Sequence, residues 1–135
     1  MTTIDALPSI DDEGVDWKPI QHYFRLTAFG INVYRATEAG TQVIGDHDEL
    51  EGDHEEVYLV LEGTVTFTVD GESFALGPGG LVVIPDPAVR RKAVGETKGA
   101  AVLAVGNRRA ERFRSTWSPE HFEGVPTHAE DAAAE

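Results

Sequence analysis

Hydrophobic and polar residues alternate along this chain in short runs, a pattern typical of β-strands rather than helices. The clearest run is Thr64–Val69, in which Val65, Phe67 and Val69 would face one side of a strand and three threonines the other. About nine such runs follow one another at regular spacing, with no helical periodicity between them. The predicted strands are Tyr23–Phe29, Ile31–Ala36, Thr41–Gly45, Val57–Leu61, Thr64–Val69, Glu72–Leu76, Leu81–Ile84, Val89–Val94 and Ala100–Val105.

Turn residues separate these runs. Asp70-Gly71 is the strongest turn pair and Glu62-Gly63 is a second, and both are typical of tight hairpins. Gly77–Gly80 and Pro85–Pro87 break the pattern before the next two strands. Many short strands joined in this way predict an all-β sandwich or barrel. A helix is plausible only at Arg108–Ser115, where it would cover one end of the barrel.

The formal charge of -13 is concentrated at the two ends of the 135-residue chain. Residues 1–16 carry five acidic side chains and no lysine or arginine, and residues 118–135 carry another five acidic side chains. Acidic segments that also contain Ala, Pro and Thr favour solvated disorder. We therefore predict one barrel domain at residues 19–116, between a partly disordered tail at 1–18 and a disordered tail at 117–135.

Composition excludes several classes of protein. The chain has no cysteine, so disulfides and thiolate metal sites are excluded. The acidic balance argues against a nucleic-acid partner, whose phosphates require a cationic face. The first residues lack the pattern of a signal peptide, and no apolar stretch approaches the roughly 20 residues that span a bilayer. We expect a cytoplasmic protein with no membrane partner.

Two segments resemble the motifs of the cupin family. Glu56–Gly63, read as EVYLVLEG, is similar to the second half of the first cupin motif, in which six residues separate a Glu from a Gly. Gly79–Pro85 is similar to the second motif, in which a Gly lies six positions before a Pro. The resemblance covers roughly Phe29 to Val105. It implies an antiparallel double-stranded β-helix, the jelly-roll barrel, with Glu56 pointing into the barrel.

The chain departs from the metal-binding pattern of that family. The resemblance would place two histidines shortly before Glu56, but those positions fall on Leu50 and Gly52. The family's last histidine, five residues after Pro85, falls on Arg90. Only Glu56 matches directly, and a permanent cation beside a divalent metal is unfavourable. We therefore favour no metal and no cofactor.

A metal site remains as the alternative, because His47 and His54 lie close to Glu56 in the sequence. Two imidazoles and a carboxylate form a set that binds iron, nickel, manganese or zinc. His54 and Glu56 are two residues apart, so on a strand they face the same side. Such a site would indicate a metal-dependent dioxygenase or isomerase. His47 has a simpler interpretation as a solvated residue of the acidic run Asp46–Glu56.

Without a metal, the resemblance and strand alternation bring four polar side chains together inside the barrel. They are His54, Glu56, Tyr58 and, from the facing strand, Arg90. A few polar groups in an apolar barrel are typical of a small-molecule pocket. We expect an anionic organic ligand, held by Arg90, with His54 or Glu56 available to move a proton. A structural Arg90–Glu56 ion pair and a non-catalytic binding or sensory barrel are the alternatives.

The outer surface suggests a partner. If Glu56 points inward, Val57, Leu59 and Leu61 point outward and form an apolar face that needs a cover. A second sheet or a partner subunit would supply it, and the family resemblance also favours a homodimer. The basic cluster Arg108–Arg114 is expected to balance the acidic run Asp46–Glu56, within one chain or across the dimer.

Overall fold

A computed structural model describes residues 1–128 of the chain. Within this part, ten strands account for most of the regular structure, together with one short helix and two 3-10 helices at Ile4–Ala6 and Pro119–Phe122. The helix is α1 (Ile20–Phe24). The strands are β1 (Ile10–Asp12), β2 (Val15–Lys18), β3 (Gly30–Ala36), β4 (Thr41–His47), β5 (His54–Glu62), β6 (Val65–Val69), β7 (Glu72–Leu76), β8 (Leu81–Ile84), β9 (Arg91–Gly95) and β10 (Ala101–Arg108).

The strands form two antiparallel sheets packed face to face. One sheet has six strands in the order β1-β2-β3-β10-β5-β8, and the other has four in the order β4-β9-β6-β7. Strands distant in the sequence are therefore neighbours, such as β3 with β10 and β5 with β8. The predicted all-β jelly-roll barrel is confirmed.

The core lies between the sheets and follows from the alternation of the strands. Val65 and Phe67 of β6 are almost fully buried, as are Tyr58 and Val60 of β5. The Tyr58 and Phe67 rings lie 5.8 Å apart across the two sheets. The β6–β7 turn uses the expected residues, since Asp70 and Gly71 both have positive φ, the conformation of a type I′ hairpin.

Three of the predicted elements are wrong. Residues 10–18, assigned to the N-terminal tail, form β1 and β2 of the six-stranded sheet, so the barrel begins before residue 19. Within the predicted strand Tyr23–Phe29, residues 23 and 24 belong to α1, because the segment packs at the end of β3 instead of pairing. Arg108–Ser115 is not a helix. The predicted C-terminal tail is described up to residue 128, and residues 129–135 lie outside the described part.

The N-terminal segment is fixed on the outer face of the six-stranded sheet. The buried ammonium of Lys18 donates to the Leu7 carbonyl at 3.0 Å and to the Ser9 hydroxyl at 2.8 Å. Arg35 pairs with Asp5 at 3.4 Å. Lys18 and Arg35 alternate with residues that face the barrel interior, so both side chains leave the sheet on its outer side. This segment therefore covers the outer side of β2 and β3.

Candidate functional site

Glu56 is the centre of a hydrogen-bonded group at the inner face of β5. The Tyr58 hydroxyl donates to Glu56 Oε1 at 2.6 Å, and Arg91 Nη1 donates to the same oxygen at 2.7 Å. Arg91 lies on β9, and its side chain is fully buried. Its Nε donates to the Val89 carbonyl at 3.0 Å, and that bond fixes the guanidinium plane. Glu56 and Tyr58 therefore lie inward, as alternation along β5 requires.

Arg90 is not the arginine of this group, and the prediction that it projects inward is wrong. Its side chain is 57% exposed and pairs with Asp46 at 3.3 Å and with Asp48 at 3.7 Å. Strand β9 begins one residue later, and its pairing directs Arg91 and Ala93 to the interior. A shift of one residue reverses the face of every side chain in a strand, so Arg91 takes the inward position.

A second group adjoins Glu56 at the end of β4. His47 Nδ1 lies 2.6 Å from the Gly45 carbonyl, and His47 Nε2 lies 2.9 Å from Glu49 Oε1 and 3.8 Å from Glu56 Oε1. His47, Glu49 and Glu56 each offer one ligand atom within 4.8 Å of the other two. Glu49 was missed from the sequence. The signal was present, because Glu49 lies two residues after His47, the spacing that the family resemblance expects between two histidines.

His54 lies beside this group but does not complete it. Its Nδ1 is 3.5 Å from Glu49 Oε2, and its side chain is 40% exposed. The loop between β4 and β5 is long enough to place Glu49 between His47 and His54. Of the alternative metal set His47, His54 and Glu56, the structure therefore brings together His47 and Glu56, with Glu49 in the third place.

Two cavities meet at Glu56. The larger, of about 550 Å³, includes His47, Glu49, Glu56 and Tyr58 among its lining residues. The smaller, of about 370 Å³, includes His54 and lies between β3, α1 and the end of β10. Tyr34, Glu56 and Ala104 line both cavities. A ligand in either cavity would contact Glu56.

Burial determines the protonation behaviour of the site. Burial raises the pKa of the Glu56 carboxyl, and the nearby Glu49 carboxylate raises it further. The Tyr58 hydrogen bond and the Arg91 charge act in the opposite direction. Burial also raises the pKa of the Tyr58 phenol, and the Glu56 charge adds to that effect. Tyr58 is therefore a hydrogen-bond donor to Glu56 and not a base.

The Tyr34 phenol is expected to stay neutral up to about pH 12, since burial and then the Glu56 charge raise its pKa to about 12. Its folded-state pKa lies above the unfolded value, so its contribution to stability is complete below the unfolded pKa and is lost as the pH rises through the folded one. The measurement is phenolate absorbance against pH, wild type minus Tyr34→Phe. A difference signal centred near the ordinary tyrosine pKa of about 10 would contradict the assignment.

The donor atoms at His47 are those of a divalent-cation site, although the buried Arg91 guanidinium pairs with the Glu56 carboxylate beside them at 2.7 Å. The Gly45 carbonyl can only accept, so His47 Nδ1 carries the proton that it shares with Gly45. His47 Nε2 then faces the Glu49 carboxylate, an arrangement satisfied by a second ring proton or by a cation. A histidine oriented by a backbone carbonyl through its other nitrogen is the usual outer-shell arrangement of a metal ligand. Imidazole nitrogen with two carboxylates suits iron, nickel, manganese or zinc.

Comparison with known families identifies the domain. The sequence profile of the cupin domain matches residues 38–106, about half of the chain. The chain belongs to the cupin family. The matched segment runs from just before β4 almost to the end of β10, so it includes His47, Glu49, Glu56 and Tyr58, whereas Tyr34 and the lining residues of the N-terminal segment lie outside it.

Solved cupin structures share this fold at low sequence identity. A sugar phosphate isomerase of the cupin superfamily from Silicibacter pomeroyi is 20% identical over 80% of this chain and 75% of its own, with a TM-score of 0.64. KdgF from Halomonas is 20% identical over 78% and 91%, with a TM-score of 0.65. A proposed sugar phosphate isomerase from Acidithiobacillus ferrooxidans is 23% identical over 70% of this cupin, which spans only 59% of that protein, with a TM-score of 0.59.

Two further findings concern sequence relatives and the helices of the cupin. No curated protein sequence matches it significantly. None of the helices in residues 1–128 is long and apolar enough to cross a membrane.

Proposed function

We propose that this cupin binds a small hydroxyl-bearing organic molecule in the cavity of about 550 Å³, beside a divalent cation held by His47, Glu49 and Glu56. The observation that carries the proposal is His47, whose Nδ1 is bound to a carbonyl while Nε2 faces the Glu49 carboxylate at 2.9 Å. The cavity volume lies within the range of small-molecule sites. The same three residues line that cavity, so cation and ligand would be in contact.

The chemistry of such a site divides between the cation and the chain. A bound divalent cation would polarise a ligand oxygen as a Lewis acid. The chain contributes Glu56, which would be a ligand of the cation when the cation is bound; without the cation, its raised pKa favours the uptake of a proton from a ligand hydroxyl or carbon acid. Tyr58 and Arg91 both donate to Glu56 Oε1 and fix that carboxylate in the cavity wall. Binding with proton transfer is the reaction type that these groups support.

The ligand that we propose is not an anion. Neither Arg90 nor Arg91 lines the larger cavity, whereas Asp12, Glu13 and Glu49 do. Carboxylates accept hydrogen bonds from hydroxyl groups and repel other anions. The similar structures named sugar phosphate isomerases support a ligand rich in hydroxyl groups, but the substrates in those names carry a phosphate, so the neutral charge that we propose rests on the carboxylates of the cavity alone.

Metal binding tests the proposal first. Untagged protein treated with EDTA is titrated with Mn²⁺ or Zn²⁺ by calorimetry, and we expect about one equivalent to bind. His47→Ala and Glu49→Gln should each weaken binding by more than the about 10–100-fold typical of losing an outer-shell partner. His22→Ala, at an exposed histidine outside the site, is the control and should bind normally. His54→Ala should retain binding, and its loss instead would support the set His47, His54 and Glu56.

The ligand class needs its own measurement. Protein saturated with Mn²⁺ is heated with neutral monosaccharides and, separately, with their phosphate esters. We expect neutral sugars to raise Tm, and to lose that effect in Glu56→Gln. Stabilisation by the phosphate esters alone would contradict a neutral ligand.

A metal-free proton-transfer site at Glu56 is the second candidate. The observation in its favour is that Tyr58 and Arg91 already saturate Glu56 Oε1 with two donors. If wild-type protein binds neither Mn²⁺ nor Zn²⁺, the divalent-cation proposal is wrong. The Glu56 group then acts without a metal, and His54, which lines the adjoining cavity together with Glu56, is available as a second imidazole.

A further inference from the structure

The outer side of the six-stranded sheet carries a continuous apolar surface. Two rows of four apolar side chains cross β3, β10, β5 and β8 in register, one from Ile31 to Val83 and the other from Val33 to Leu81. We call these two rows the outer apolar face. Exposure increases along it: Val33 is fully buried, Val57 is 37% exposed, and Leu81 and Val83 are 59% and 60% exposed.

The described residues cover only one end of the outer apolar face. The N-terminal segment held by Lys18 and Arg35 lies over the β2–β3 end, where Val33 is buried. The other end is β8, which is an edge strand of the sheet. An exposed apolar edge is a site for association unless something covers it.

The chain also carries a segment with the complementary features. Residues 109–128, which we call the C-terminal arm, follow β10 and include no strand. Their large apolar side chains are uncovered: Phe113 is 91% exposed, Trp117 66%, Phe122 52% and Val125 61%. Within residues 1–128 of a single chain, therefore, neither the arm nor the exposed end of the outer apolar face has a cover.

Charge favours contact between the arm and this face. Residues 108–114 contain four arginines and one glutamate. The end of β5 beside Val57 is acidic, with Asp53, Glu55 and Asp86 close enough to act on the Arg109 charge. Arg109 already pairs with Asp53 at 2.8 Å, which anchors the start of the arm at this end of the sheet. The later arginines of the arm match the same acidic border on another copy.

We propose that this cupin forms a dimer in which the C-terminal arm of each copy lies across the outer apolar face of the other. A second copy carries both missing surfaces, so a two-fold exchange covers both arms and both faces at once. Aromatic anchors on an apolar surface with arginines at its border are the usual composition of a stable interface. The proposal does not depend on the metal site.

The test measures mass and arm burial together. Sedimentation equilibrium of the full chain should give twice the monomer mass of 14.6 kDa. Val83→Asp on the face and Trp117→Ser on the arm should each weaken the dimer by about 100-fold or more. Leu50→Asp is the control, because Leu50 is 61% exposed in the loop between β4 and β5 and is not one of the residues of the outer apolar face, so this variant should dimerise normally. All three positions are exposed in the single chain, so the variants should fold.

Trp117 itself reports on the arm. We expect its emission to shift to the blue and its quenching by acrylamide to fall as protein concentration rises, while Trp117→Phe still dimerises without that signal. A monomeric wild type would overturn the proposal, and so would a monomer in which Trp117 is shielded, because the arm would then cover its own chain. Dissociation by Val83→Asp alone would also overturn it, in favour of face-to-face pairing, and an equal effect of Leu50→Asp would show non-specific association.

Discussion

Replacing Arg91 with methionine is expected to lower the free energy of unfolding by about 3–5 kcal/mol, because it leaves the Glu56 carboxylate without its buried cation. The Arg91 side chain is fully buried, and that of Glu56 is 15% exposed, so solvent screens this pair little. The two atoms lie 2.7 Å apart. Urea unfolding at neutral pH, with the m-value compared between variants, measures the loss.

Arg90→Met is the matched control for this prediction. Arg90 is the next residue in the chain and pairs with Asp46, but it is more than half exposed, so its loss should cost about 1 kcal/mol or less. The double variant Glu56→Leu/Arg91→Met should recover most of the stability, because a buried pair replaced by apolar groups is often neutral. Arg91 Nη2 is buried with no hydrogen-bond partner in the described residues, and the double variant also removes this unsatisfied donor. Equal losses for Arg90→Met and Arg91→Met would contradict the assignment.

Gly63→Ala is expected to lower the free energy of unfolding by about 2–5 kcal/mol. Gly63 has a φ of +69°, a conformation in which an added Cβ is strained. That Cβ would also lie 2.9 Å from the Ala100 Cα, which is backbone, and it would contact the Thr97 hydroxyl. Thr97 accepts a hydrogen bond from the Thr64 amide, so the substitution disturbs a second contact. Thermal or urea unfolding measures the change.

Gly71→Ala separates the strain of a positive φ from the close packing of the added Cβ. Gly71 also sits in a tight turn with a positive φ of +85°, but nothing lies within 4 Å of its added Cβ. Its substitution should therefore cost only the conformational term, about 1–2 kcal/mol. If the two variants lose the same stability, close packing at Gly63 contributes nothing and the prediction fails.

Much of the fold could be predicted because strands and turns produce patterns among neighbouring residues in the sequence. The alternation of Thr64–Val69 and the pair Asp70-Gly71 predict a strand and a turn without reference to the rest of the chain. The same rule applied to β5 placed Glu56 and Tyr58 on one face. The N-terminal strands were missed, because β1 and β2 are only three and four residues long and gain their order from pairing with β3 rather than from their own pattern.

The errors at the site have one physical origin. Arg90 and Arg91 are adjacent and chemically identical, and only the residue at which β9 starts pairing decides which of them is buried. Glu49 lies in an acidic run where no periodicity distinguishes a ligand from a solvated carboxylate. The His47 contact at 2.9 Å distinguishes it, and that contact depends on how the loop between β4 and β5 folds.

The sequence by itself determined the class of fold, the family, and the position of Glu56 on the inner face of β5, since alternation and motif spacing are properties of neighbouring residues. The tertiary structure alone decided that Arg91 pairs with Glu56, that Glu49 joins His47, and that the outer apolar face is covered at one end and open at the other. These features depend on strand register and on contacts between residues far apart in the chain. A shift of one residue reverses them without changing the local pattern.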